Sequence, residues 1–234
     1  MQLLSRVQFG SLEHVLPIIL AIAICVFLIK YAKSKSKNTK DLVFSYLGVF
    51  VSGFIILFHI YQSSFGTYNV KTDLPLFLCS FMAVFIFVFT ATQKYFLFEI
   101  LLFWIILGTS QGVITPDITL GFPSYDYFRY WVVHLGLLTI IAYAVAILKM
   151  KPTIKSVFKS FLVLQVYVLI IIGVNYVFDT NYAYLNNKPI SGSVLDYLGD
   201  WPNYIINVQL LLIPAFLLIY LPFFLLNFMK KIRG

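Results

Sequence analysis

The chain has 234 residues, of which 61% are apolar and 11% charged, and its formal net charge is +8. Ordinary soluble proteins carry about 25% charged residues, and a soluble fold of this size could not bury so much apolar surface. The composition therefore excludes a soluble protein and predicts an integral membrane protein. The basic residues lie in short clusters between apolar runs, so they indicate membrane topology and no nucleic-acid partner.

Seven apolar runs are long enough for a transmembrane helix, which needs about 20 residues. The fourth run is the shortest, and the seventh contains Pro214 and Pro222. These runs predict an all-α membrane protein, a bundle of seven transmembrane helices that forms a single polytopic domain over residues 1–234. The approximate runs are 15–32, 42–62, 74–92, 96–113, 127–148, 157–178 and 203–228.

The distribution of Lys and Arg predicts the orientation of the bundle. Thirteen of the 17 basic residues lie in or beside the first, third and fifth connections or in the C-terminal tail. Because cytoplasmic loops are enriched in Lys and Arg, we expect the N-terminus outside and the C-terminus in the cytoplasm. The outer connections at 115–126 and 181–202 are the more elaborate ones, so functional residues are expected at the outer face.

Two polar side chains in the outer halves of helices suggest nucleophilic chemistry. Asp73 is a plausible cap of the third helix and places Cys79 about 9 Å below it. Ser124 is a plausible cap of the fifth helix and places His134 about 15 Å below. A thiol needs a base to become a good nucleophile, and an imidazole can supply it. A pairing of Cys79 with His134 is therefore a hypothesis, although a lone Cys in an apolar helix is often a small hydrophobe.

Further polar side chains also cluster in the outer halves of the helices, where they predict a polar cavity open toward the outer leaflet. They are candidates for substrate binding, and Gln111, Asn203 or Asn207 could hydrogen-bond an oxyanion. Each could instead hydrogen-bond a neighbouring helix. No metal-binding spacing occurs, so neither a metal nor a soluble cofactor is expected. The candidates are His59, Gln111, Asp117, Arg129, Tyr130, Asn203 and Asn207.

Four strings in order resemble the YwaF-type integral membrane proteins of bacteria, which look related to the eukaryotic transmembrane protein 164 acyltransferases. The strings are LPLFLCS (74–80), QGVITPD (111–117), GFPSYDYFRYWVVH (121–134) and NNKPISGSVLDYLGDWPNYI (186–205). The resemblance implies a lipid acyltransferase of the bacterial plasma membrane, with Cys79 as nucleophile, His134 as its partner and a glycerophospholipid or lysolipid as substrate. The family pattern often has a polar residue two positions before the cysteine, where this chain has Phe77.

Three functions follow as expectations. The first is cysteine-dependent acyl transfer or acyl hydrolysis on a membrane lipid. The second is a non-enzymatic carrier that binds a lipid or small molecule in the outer cavity. The third is a scaffold for another membrane protein, which would dock on the face of helix 2 that carries Ser45 and Ser52. That face, which also contains Gly48, is alternatively a close-packing surface inside the bundle.

Overall fold

The computed structural model describes residues 6–66, 68–190 and 192–233. In this part of the chain, six helices are long and apolar enough to cross a membrane, and a shorter apolar helix is the third in order. The fold is therefore the predicted seven-helix membrane bundle. The helices are α1 (Leu12–Lys33), α2 (Lys37–Ser64), α3 (Leu78–Thr92), α4 (Tyr95–Ile114), α5 (Tyr125–Ala146), α6 (Ile154–Phe178) and α7 (Asn203–Arg233).

The connections divide the bundle into two different ends. The basic end holds the short connections 34–36, 93–94 and 147–153. The loop-rich end holds the longer connections 65–77, 115–124 and 179–202, with short 3-10 helices at Tyr182–Tyr184 and Val194–Leu198. The expected orientation, with the basic end in the cytoplasm, stays a prediction.

Serine caps fix where several helices begin. The side chains of Ser11, Ser36 and Ser124 each accept a hydrogen bond from a backbone N–H three residues later. Such caps satisfy a donor that the first helical turn leaves without a partner. The predicted cap at Ser124 is confirmed.

The start of α3 differs from the sequence prediction. The helix begins at Leu78, not near residue 74, and Asp73 is not its cap, because its carboxylate accepts from Asn69 N at 2.8 Å. Two tyrosine hydroxyls from other segments bond the backbone before the helix: Leu74 N donates to Tyr182, and Tyr167 donates to the carbonyl of residue 76. These bonds take the place of helical hydrogen bonds in this stretch. As a result α3, and not α4, is the shortest of the seven helices described.

The shortness of α3 sets the depth of its first turn. Its 15 residues span about 22 Å, which is less than the hydrocarbon core of about 30 Å. α3 and α4 are joined at the basic end by Gln93 and Lys94 alone, so the missing length falls at the loop-rich end. Cys79 and Thr109 both lie about 20 Å from this shared turn, at 1.5 Å per residue, and are therefore level with each other.

The small-residue face of α2 packs inside the bundle. A Cβ atom added at Gly48 would lie 1.9 Å from Oγ1 of Thr90 on α3. Ser52 Oγ donates to the carbonyl of Ala83 at 2.8 Å, and Ser45 Oγ donates to that of Thr90 at 3.4 Å. The expected close-packing surface is thus formed with α3. The idea that this face docks another protein is wrong, because α3 already occupies it.

At the basic end, a buried carboxylate fixes α4 to α6. Glu99 is 2% exposed, and its two oxygens accept hydrogen bonds from Ser156 Oγ at 2.7 Å and Lys159 Nζ at 2.8 Å. Trp104 Nε1 also donates to the carbonyl of Ser160 at 3.2 Å. These polar groups satisfy one another, as buried polar groups usually must.

The helix α7 completes one wall of the bundle. It contains Pro214 and Pro222, as the sequence indicated. Gln165 Nε2 on α6 donates to Gln209 Oε1 on α7 at 2.9 Å, and the ring of Phe216 lies 5.1 Å from that of Phe103. A side-chain amide pair within the membrane holds α7 beside α6.

Candidate active site

A cavity of ≈ 470 Å³ lies among five helices near the loop-rich end. Most of its polar groups come from α3, α4, α5 and the connection after α4. Side chains of α6 and α7, such as Tyr167, Val168 and Leu212, provide a mostly apolar wall. Seven residues of the connection after α6 also line it and are here named the roof: Ala183, Tyr184, Leu185, Pro189, Ser193, Val194 and Leu195. The principal polar side chains lining it are Cys79, Gln111, Asp117, Arg129, Tyr130 and His134.

Cys79 is the second residue of α3, so its thiol lies in the first turn of a helix. Phe77, the capping residue, provides no side-chain hydrogen bond. The first N–H groups of a helix have no carbonyl one turn earlier, and the helix dipole makes this end positive. A thiolate and a developing oxyanion are both stabilised in such surroundings.

The neighbour of the thiol is a threonine of α4. Cys79 Sγ lies 3.7 Å from Thr109 Oγ1, a hydrogen-bonding distance for sulfur at which either group could be the donor. Thr109 is fully buried and ends a π-helical segment, Ile105–Thr109, within α4. Short π segments in α-helices are frequent at functional sites.

His134 is held in one tautomer by its own helix. Its Nδ1 lies 2.8 Å from the carbonyl oxygen of Tyr130, which only accepts, so Nδ1 carries the hydrogen of the neutral ring. The two rings also stack with centroids 4.0 Å apart. His134 Nε2 therefore keeps a lone pair, and this atom lies against Gly112 of α4.

Gly112 permits the close approach of His134 to α4. A Cβ atom at Gly112 would lie 2.6 Å from His134 Nε2 and 3.0 Å from the hydroxyl of Tyr130. Because Gly112 follows Thr109 by three residues, the contacts of Cys79 and His134 with α4 are about one turn apart, on the order of 5 Å. The two side chains share the cavity, and the thiol's hydrogen-bonding neighbour is Thr109 and not His134.

The remaining predicted residues that line the cavity are Gln111, Asp117, Arg129 and Tyr130. Asp117 forms an ion pair with Arg6 and accepts a hydrogen bond from Tyr184 of the roof at 3.2 Å. Arg129 pairs with Asp126, one turn earlier on α5. Both charged candidates thus have a counter-charge within the chain.

The hydroxyl of Tyr184 stays a donor at neutral pH. Burial raises its pKa above the usual value for tyrosine, and the negative charge of Asp117 raises it further. The pKa of Tyr182, which precedes the roof, is also raised, chiefly by burial. Both tyrosine hydroxyls therefore keep their protons, and their capacity to donate, across the physiological pH range.

Three predicted binding residues lie outside the cavity. Asn207 Nδ2 donates to the carbonyl of Leu198 at 2.9 Å, and Asn203 is exposed at the start of α7. α7 instead presents Tyr204 and Val208 to the cavity, so the asparagines are on other faces of the helix. The ring of His59 lies against Tyr68, with centroids 5.9 Å apart.

Comparison with known proteins places the chain in a family. A sequence model of the TMEM164 family matches residues 8–220. The chain belongs to the TMEM164 family. This match spans Cys79, His134 and most of α7, and it confirms the relation to transmembrane protein 164 that the four strings suggested. Comparison with curated proteins gives no match, and comparison with solved structures gives none either.

In this family member, sequence reasoning missed several residues of the cavity, and also Thr109, which contacts Cys79. Thr109 and Gly112 flank the predicted Gln111 in the string TSQG, and small residues in an apolar helix are a signal for close helix approach. Tyr167 and Gln209 had no comparable signal, because nothing in an apolar helix indicates which face meets the cavity. Tyr184 lies in the long connection that was already expected to be functional.

Proposed function

We propose that this TMEM164-family protein is a membrane-embedded enzyme that transfers or hydrolyses the acyl chain of a glycerophospholipid or lysolipid through Cys79. One observation carries the proposal: a helix-terminal thiol and an imidazole with a free Nε2 line the same largely apolar cavity. A nucleophile and a base in one water-poor chamber suit acyl transfer.

In the first half-reaction, His134 Nε2 takes the thiol proton of Cys79. Because Sγ lies beside Thr109, this transfer requires a rotation of the Cys79 side chain or one bridging water. The sulfur then attacks the ester carbonyl and a carbon–sulfur bond forms. The ester carbon–oxygen bond breaks, and the imidazolium protonates the leaving alkoxide, which departs as the deacylated lipid.

The oxyanion of the tetrahedral intermediate requires hydrogen-bond donors. The backbone N–H groups at the start of α3, before that of Phe81, are beside Cys79 and have no carbonyl one turn earlier. Gln111 also lines the cavity. These donors replace the asparagines of α7, which lie on other faces of their helix.

In the second half-reaction, a hydroxyl group attacks the thioester. His134 Nε2 takes the proton of this hydroxyl, the carbon–sulfur bond breaks, and the thiolate of Cys79 recovers the proton. If the hydroxyl belongs to a lysolipid, the reaction is acyl transfer, and if it belongs to water, the reaction is hydrolysis. The apolar wall formed by α6 and α7 suits an acyl chain and disfavours water.

The test is turnover of acyl-labelled phospholipid by purified protein in vesicles. Cys79→Ala removes the nucleophile, and we expect turnover to fall to background while the helical content and thermal unfolding stay close to those of the wild type. Cys25→Ala is the matched control, since Cys25 lies on α1 and does not line the cavity. Undiminished turnover in Cys79→Ala would overturn the proposal.

A second candidate function is a carrier that binds a lipid without reacting with it. The observation in its favour is that Thr109, and not His134, is the hydrogen-bonding neighbour of the thiol. For a carrier, intact lipid should co-purify equally with wild type and Cys79→Ala. Mass spectrometry of the wild-type chain after incubation with lipid should then detect no acyl adduct on Cys79.

A further inference from the structure

The hydroxyl of Thr109 has an unusual hydrogen-bonding position. Three other threonines of the described helices, all beyond the first turn, donate to a carbonyl of their own helix. Thr109 has no such bond among the described residues, although it is fully buried. The threonines that bond their own helix are Thr90, Thr92 and Thr139.

The π segment explains why Thr109 differs. In an α-helix, a threonine hydroxyl reaches the carbonyl three or four residues earlier. Thr109 is the last residue of Ile105–Thr109, where hydrogen bonds span five residues and the turn is wider. A buried hydroxyl without a hydrogen-bonding partner is costly, and the partner that Thr109 meets is Cys79 Sγ at 3.7 Å.

We infer that Thr109 is a positioning residue for Cys79, whose hydroxyl donates to the sulfur when the thiol loses its proton. As a thiol, Cys79 can donate to or accept from Thr109, but a thiolate can only accept. The contact is therefore strongest in the charged form, which is the reactive one. This inference rests on the proposed function for its purpose, but the contact itself can be tested without lipid turnover.

The test measures alkylation of Cys79 by N-ethylmaleimide, followed by mass spectrometry of the full chain in detergent. Every variant carries Cys25→Ala, so that Cys79 is the single cysteine. Thr109→Val keeps the volume and removes the hydroxyl, and we expect alkylation at neutral pH to slow roughly tenfold, in line with a hydrogen bond to a charged group. The plot of rate against pH should move to higher pH.

Two further variants separate positioning from packing. Thr109→Ser restores a hydroxyl and should recover most of the alkylation rate. Thr139→Val removes a hydroxyl that already donates to the carbonyl of Leu135 at 2.8 Å, and it should leave the rate unchanged. If Thr109→Val does not fold, the same comparison is made with Thr109→Ala.

The outcomes distinguish this inference from the proposed enzyme function. Alkylation of Thr109→Val at the rate of its parent, over the whole pH range, overturns the role of Thr109. A slower rate that Thr109→Ser restores supports it, whether or not the wild-type protein turns over lipid. Loss of lipid turnover in Cys79→Ala tests the enzyme function separately.

Discussion

Buried polar groups at the two ends of α4 differ in how completely they are hydrogen-bonded. At the basic end, both oxygens of Glu99 have donors, and α4 is tied to α6. At the other end, the hydroxyl of Thr109 contacts Cys79 and bonds no carbonyl of its own helix among the described residues. His134 Nε2 lies against Gly112 there. We call the Glu99 end closed, because its polar groups all have partners, and such bonding stabilises the structure. We call the Thr109 end open, because incompletely bonded groups there are able to exchange protons. One helix, α4, thus has structural hydrogen bonds at one end and incompletely bonded polar groups at the other.

The largest expected effect is at the open end. His134→Ala removes the proposed base, and turnover should fall by about 10²–10⁴-fold, the usual contribution of a positioned general base. Acyl-labelled phospholipid measures it, and circular dichroism checks the fold. Turnover within twofold of the wild type would show that His134 is not the base, and the open end would then be only a binding surface.

Gly112→Ala should have the next largest effect. The added Cβ would lie 2.6 Å from His134 Nε2, so the ring must move, and we expect a loss of turnover of about 10–100-fold and a cost of about 1–3 kcal/mol in stability. Gly173→Ala is the matched control, because no atom lies within 4 Å of its added Cβ. Equal turnover in both variants would contradict the close approach.

A change at the closed end should affect stability without affecting chemistry. Glu99→Ala removes two hydrogen bonds, and we expect a cost of about 2 kcal/mol, since the half-exposed Lys159 can return to solvent. Thermal unfolding in detergent measures this loss. Turnover per folded molecule should stay unchanged, and a fall in it would break the distinction between the two ends of α4.

The smallest expected effect concerns the roof. Asp117→Asn weakens the partly exposed pair with Arg6, which is worth about 0.5–1 kcal/mol. Hydrogen exchange in the roof should quicken by about two- to fivefold. Asp179→Asn is the control, since its carboxylate is 96% exposed in the pair with Lys71 and its loss should leave the roof unchanged.

The helices could be predicted from the sequence because each apolar run is long and ends at charged or turn-forming residues. The cap at Ser124 was also predictable, since its side chain bonds a backbone group three residues away. The start of α3 was not, because Tyr182 bonds Leu74 from 108 positions later. The residues around Leu74 do not indicate such a distant partner.

The candidate site was predictable only in part. Cys79 and His134 stood out as reactive groups in apolar helices, and both line the cavity. The prediction that Asn203 and Asn207 line the cavity was wrong. Apolar residues occur on every face of α7, so its few polar residues do not indicate which face points inward. The π segment that ends at Thr109 adds no distinctive residue, so its effect on the hydroxyl could be found only in the structure.

Tyr182 connects the roof to the segment that leads into α3. Its hydroxyl donates to the carbonyl of Val70 at 2.6 Å and accepts from Leu74 N at 3.0 Å, while its backbone leads directly into the roof. The residue directly before the roof therefore holds the backbone of the segment that leads into α3. The placement of the roof and the start of α3 thus depend on one side chain, so Tyr182→Phe should disturb both.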